Sequence, residues 1–172
     1  MALEGGPDFT VDVDVAIVEA IGEPGQRRFR IITAANGETT IMWMEKQQLD
    51  ALGQAIDQIL LQLEDTPISI PGDTSNAPFD VTTLNQFRVG RLEIGFDQEH
   101  DRILIIAYDI ESGEEEAPSL AGLFSRDLAK SISEEAAKVV AAGRPRCVLC
   151  GLPMGPDPHA CAQQNGHLAS YA

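Results

Sequence analysis

Twice along this chain, three stretches with strand patterning are followed by one with helical patterning. This order limits the possible folds more than any other feature. Each set supplies a small meander with one apolar face and a helix able to cover it. In residues 8–21, Phe9, Val11, Val13, Val15 and Ile17 alternate with Thr10, Asp12, Asp14 and Ala16. Side chains on a strand point to opposite faces in turn, so this period of two predicts one half-buried strand. Gly22-Glu-Pro-Gly-Gln26 reads as a turn, and residues 27–35 as a second strand around Phe29 and Ile31. Asn36-Gly37 marks a tight hairpin, since both residues tolerate positive φ. Residues 39–44, carrying Ile41 and Trp43, complete the meander. Leu49, Leu52, Ile56, Ile59, Leu60 and Leu63 then recur at three- and four-residue steps, which makes one apolar helical stripe. Gly53 weakens that helix by about 1 kcal/mol relative to Ala, less than the stripe contributes. Glu64-Asp65-Thr66-Pro67 ends it.

Residues 66–85, rich in Pro, Gly, Ser, Asn and Asp, read as a surface linker. The order then returns. In residues 86–96 the apolar phase changes from Phe87 and Val89 to Leu92, Ile94 and Phe96. A slip beside Gly90 predicts a bulge, because one extra residue reverses which side chains face the core. Residues 97–101 form a turn, 102–110 a strongly apolar strand, 111–118 an acidic loop and 119–124 the last strand. A second helix follows, with Ser125 as N-cap and a stripe of Leu128, Ile132, Ala136, Val139 and Val140. Gly143 and Pro145 end it.

The pattern predicts an α+β fold, two βββα halves forming antiparallel sheet layers covered by two helices. The body is residues 1–143, with halves 8–65 and 86–143 and the linker 66–85. Residues 144–172 form a small zinc-knuckle-like tail. A chain of 172 residues can bury a core of this kind without disulfides. Its formal net charge of −15 argues against a nucleic-acid surface and against docking on anionic membranes. The N-terminus carries no secretory pattern, and no apolar run approaches the ~20 residues that span a bilayer, so a cytoplasmic location is expected.

All three cysteines and two of the three histidines lie in the tail. Cys147 and Cys150 form a Cys-x-x-Cys pair, and His159 and Cys161 form His-x-Cys. Thiolates and imidazole at about 2.0–2.3 Å suit tetrahedral zinc, and Gly151 helps the backbone fold round the ion. The expected ligands are Cys147, Cys150, His159 and Cys161, with His167 as the alternative fourth. Such a site is closed and therefore structural; three cysteines without His159 would leave an open position. A redox role would place Cys-x-x-Cys at the start of a helix after a strand, whereas here it follows a helix and Gly-Arg-Pro. No catalytic set is legible. Ser125 reads as a cap, since no His–Asp partner is indicated by spacing. His100 reads as an exposed turn residue, Glu114-Glu-Glu116 as a solubilising loop and Trp43 as core. The Gly22–Arg27 turn could cradle an anion but lacks the Lys-Ser/Thr of a P-loop. Arg27, Arg28, Arg30 and Lys46 could meet an acidic partner or form a solvated strand face.

The tail from Ala142-Gly-Arg-Pro-Arg-Cys-Val-Leu-Cys-Gly-Leu-Pro through His159-Ala-Cys161 and Asn165-Gly166 resembles the end of an uncharacterised bacterial family, a domain of unknown function found mainly in actinobacteria. Gly22-Glu-Pro-Gly-Gln-Arg27, Glu45-Lys-Gln-Gln48 and Phe87-Arg-Val-Gly90 extend the resemblance through most of the chain. Pro158 stands where the family has Gly, and Ala162-Gln163 where it has Pro-Arg; the ligand positions are intact. The resemblance implies a small cytoplasmic protein with a zinc tail and no established activity. Together these readings point to a non-enzymatic adaptor or regulatory subunit with a protein partner. The alternative is an enzyme or small-ligand binder with a pocket near the Gly22–Arg27 turn.

Overall fold

The structure is a computed structural model that describes residues 10–23, 25–63, 82–142, 147–152, 154, 159–161, 163 and 168–169. In the first half, β2 (Val15–Ile21), β3 (Arg28–Ala35) and β4 (Glu38–Met44) precede α1 (Lys46–Gln62); a two-residue strand, β1 (Val11–Asp12), comes before them. In the second, β5 (Gln86–Asp97), β6 (Arg102–Asp109) and β7 (Leu120–Phe124) precede α2 (Arg126–Ala141). The α+β fold with two βββα halves is therefore present. The β3–β4 hairpin turns on Asn36 at φ 51° and Gly37 at φ 80°, the left-handed pair that matches strand twist.

Pairing is antiparallel within each half and parallel at two joints, where β4 meets β5 and β1 meets β7. The strand order is β1-β7-β6-β5-β4-β3-β2. It begins and ends on one continuous stretch of chain, so residues 11–21 supply both end strands, β1 against β7 and β2 against β3. Val13 N–H donates to Leu123 O at 2.9 Å and Asp14 N–H to Ala34 O at 2.8 Å, so the stretch changes partners within one residue.

The single strand expected over residues 8–21 is thus two strands with a break at Val13–Asp14. Core-packed side chains are Val11 and Val13, then Ala16, Val18 and Ala20. In β5 they are Phe87 and Val89, then Leu92, Ile94 and Phe96, with the register shift between Val89 and Arg91. The two sets have the same spacing. Each half opens with a strand that pairs first with the other half, slips, and then pairs with its own.

The helices pack on each other. α1 also lies on β5 and β3, and α2 on β2 and β6, so each helix covers a strand of the opposite half. Their buried faces meet Phe29, Ile31, Met42, Ile103, Ile105 and Phe124 in one core. On the other sheet face, Leu104, Ile106, Ala121 and Leu123 form a smaller cluster. Gln48 fixes the start of α1, since its Oε1 accepts from Glu45 N–H at 2.9 Å and its Nε2 donates to Val89 O at 3.0 Å. Ser125 caps α2 as expected, its hydroxyl accepting from Leu128 N–H at 3.1 Å. The last residues of the expected linker are tied to β4, with Thr83 Oγ1 donating to Thr39 O at 3.1 Å. The expected stop signals Gly143 and Pro145, and most of the linker, lie outside the described residues. No helix is long and apolar enough to cross a membrane among the described residues.

Candidate metal centre

Cys147 to Leu152 forms a tight loop. Gly151 N–H donates to Cys147 O at 2.8 Å, and Cys147 N–H donates to Leu152 O at 2.8 Å. Gly151 sits at φ 72°, where a side chain would be strained. This turn brings the sulfurs of the Cys-x-x-Cys pair near the sulfur of Cys161. The three Sγ atoms lie within 4.8 Å of one another, and those of Cys147 and Cys161 are 3.7 Å apart. A disulfide would need about 2.05 Å. Tetrahedral zinc with Zn–S bonds of about 2.3 Å sets its sulfurs roughly 3.8 Å apart. The spacing of Cys147 and Cys161 therefore fits ligands of a shared ion. Three cysteines this close could hold a metal ion.

Their electrostatics fit the same role. The backbone N–H groups of Cys150 and then Leu149 hydrogen-bond the Cys147 sulfur and pull its pKa down to about 6. The thiolate, the form that binds metals, is thereby favoured at neutral pH. Burial pushes the Cys161 thiol the other way. Cys147 and Cys161 are buried and Cys150 is half-buried. A divalent cation among them would supply the positive charge that burial withholds.

His159 lies in a two-residue strand, β8 (His159–Ala160), paired with β9 (Leu168–Ala169). Its side chain and the whole of His167 lie outside the described residues. The Cys147–Leu152 loop presents three exposed apolar side chains, Val148, Leu149 and Leu152. Spacing did not single these out, although the sequence between the cysteines already carried them.

The Gly22–Arg27 turn opens beside a cleft of about 120 Å³ lined by Arg27, Arg28, Trp43, Gln48 and Arg88 among others. Trp43 is half-buried rather than core. Arg28 lies over its ring at 4.2 Å and Arg30 at 5.2 Å, while its Nε1 donates to Gln86 Oε1 at 3.0 Å. Arg88 joins the cleft from the second half, through a parallel pairing with Trp43 that no local pattern signals. His100 is exposed in its turn, as expected, with Nδ1 2.8 Å from Asp97 Oδ2.

No curated protein and no solved structure matches the chain. A family model described as "Protein of unknown function (DUF3090)" matches residues 9–161, a stretch that takes in both halves, all three cysteines and His159. By that match, which spans most of its length, the chain belongs to the DUF3090 family of proteins of unknown function.

Proposed function

We propose that this is a zinc-binding protein whose tail is held by Cys147, Cys150, Cys161 and His159, and that it acts as a non-enzymatic adaptor or regulatory subunit. The observation that carries the metal reading is the cluster of three thiols, two of them at the edge length of a zinc–thiolate tetrahedron. His159 is the fourth ligand by its His-x-Cys spacing to Cys161, and it lies inside the family match, whereas His167 falls beyond it. Four protein ligands leave no position for water or substrate, which supports a structural ion. The adaptor reading draws support from Val148, Leu149 and Leu152, apolar side chains exposed on a loop that the ion would stiffen.

Metal content of the purified protein tests the first part. One zinc per chain is expected in the wild type, with loss in Cys147→Ser and weakened retention in His159→Ala. Wild-type protein that takes up no zinc under reducing conditions would sink the proposal. For the adaptor, capture from the native cell is compared between wild type and a Val148→Glu, Leu149→Glu variant. A partner retained by the wild type and lost by the variant is expected. A clean capture with no partner counts against it.

A further inference from the structure

The described residues include seven arginines, and four of them face a carboxylate: Arg30 with Glu19, Arg91 with Glu93, Arg102 with Asp12 and Arg126 with Asp101. Arg27, Arg28 and Arg88 make no ion pair among the described residues, and all three line the same cleft. In a chain of net charge −15, with acidic groups abundant, three unpaired guanidiniums on one small concavity form a local reversal of sign. Holding like charges together is unfavourable unless an anion sits among them.

The fold builds this arrangement from both halves. Arg28 opens β3 and Arg27 directly precedes it, while Arg88 comes from the part of β5 that pairs with β4. Trp43 stands between them, cross-strand from Arg30 on one side and from Arg88 on the other. Its ring holds the Arg28 guanidinium at 4.2 Å, a cation–π contact that orients the group before any ligand arrives. Gln48 is held in place by Glu45 N–H and Val89 O and forms a fixed part of the cleft wall. Glu45 is the one carboxylate in the lining; it precedes the first turn of α1, whose N-terminal end adds positive partial charge.

We infer that this cleft binds a dianionic phosphoryl group, as inorganic phosphate or as the head of a small phosphomonoester. Guanidinium forks match phosphate oxygens two at a time, and three such groups exceed what a single carboxylate can use. A volume of about 120 Å³ admits the phosphoryl head and leaves the rest of an ester in solvent. The inference is independent of the metal, since none of the lining residues belongs to the tail.

Titration of the full-length protein with inorganic phosphate and separately with glycerol phosphate, followed by amide NMR, tests it. Saturable shifts are expected at Arg28, Trp43 and Arg88, and the tighter of the two probes identifies the source of the group. Arg88→Gln and Arg27→Gln, taken from different halves, should each weaken binding about tenfold or more. Arg91→Gln, in the same strand as Arg88 but outside the cleft, should leave it unchanged. Absence of saturable binding by the wild type to both probes would overturn the inference, as would equal weakening by Arg91→Gln.

Discussion

Arg126 Nη2 lies 2.5 Å from Asp101 Oδ1, and Arg126 Nε lies 2.9 Å from the same oxygen. The guanidinium also donates to Leu63 O at 3.2 Å and sits over Phe96. One buried side chain at the start of α2 therefore ties the β5–β6 turn to the end of α1. Asp101→Asn isolates the charge without disturbing the backbone, because Asn tolerates the left-handed φ of 54° found there. Removing one partner of a buried pair costs about 3–5 kcal/mol. The Asp101 side chain is 31% exposed, which lowers the expected loss to roughly 2–3 kcal/mol by chemical denaturation. A loss under about 0.5 kcal/mol, the level of an ordinary surface change, would contradict the clasp.

Gly90 marks the bulge in β5. A Cβ there would stand 2.7 Å from Ile110 Cα, a backbone atom that cannot swing away. Gly90→Ala should destabilise by about 1–3 kcal/mol. At Gly113 the nearest atom is a Glu116 side-chain oxygen at 3.6 Å, so Gly113→Ala should change stability by less than about 0.5 kcal/mol. Melting curves of the two variants side by side check the difference; equal effects would remove the steric reason for glycine at the bulge.

The hydrogen bond to Asp97 raises the pKa of His100 above its ordinary 6.5, and the same bond holds Asp97 below 3.8. The His contribution to stability is fully present below 6.5 and fades as pH rises through the raised folded value. The Asp contribution is present above 3.8 and fades as pH falls through the lowered one. The turn is therefore best held between those limits. An NMR titration of His100 should give a midpoint above 6.5, and Asp97→Asn should bring it back toward 6.5. An unchanged midpoint in the variant would remove Asp97 as the cause.

Chelation should separate body from tail. Both halves carry their own apolar stripes, and Arg126, Gln48 and Ser125 anchor the helices without any tail residue. A chelator-treated protein is expected to keep one cooperative unfolding transition while amide protection is lost around Cys147–Leu152. Loss of the whole transition would show that the metal holds the body as well.

Much of the body was legible because its signals are local. The hairpin at Asn36-Gly37, the slip beside Gly90 and the cap at Ser125 each follow from a few neighbouring residues. The break at Val13–Asp14 was hidden because Val15 and Ile17 continue the alternation, while the true core side includes Ala16 and Ala20, too small to signal burial. The parallel joints depend on contacts between halves and leave no local pattern. For the same reason Trp43 read as core, and Arg88 could not be placed beside Arg28. The thiol cluster was legible because Cys-x-x-Cys and a later Cys specify metal chemistry through spacing alone. Val148, Leu149 and Leu152 matter only once the loop exposes them.

X-ray absorption at the zinc edge of the purified, reduced protein reads the proposed site most directly. The expected first shell is three sulfurs at about 2.3 Å and one nitrogen at about 2.0–2.1 Å. A shell of nitrogen and oxygen without sulfur, or the absence of bound zinc, would contradict a site built on Cys147, Cys150 and Cys161.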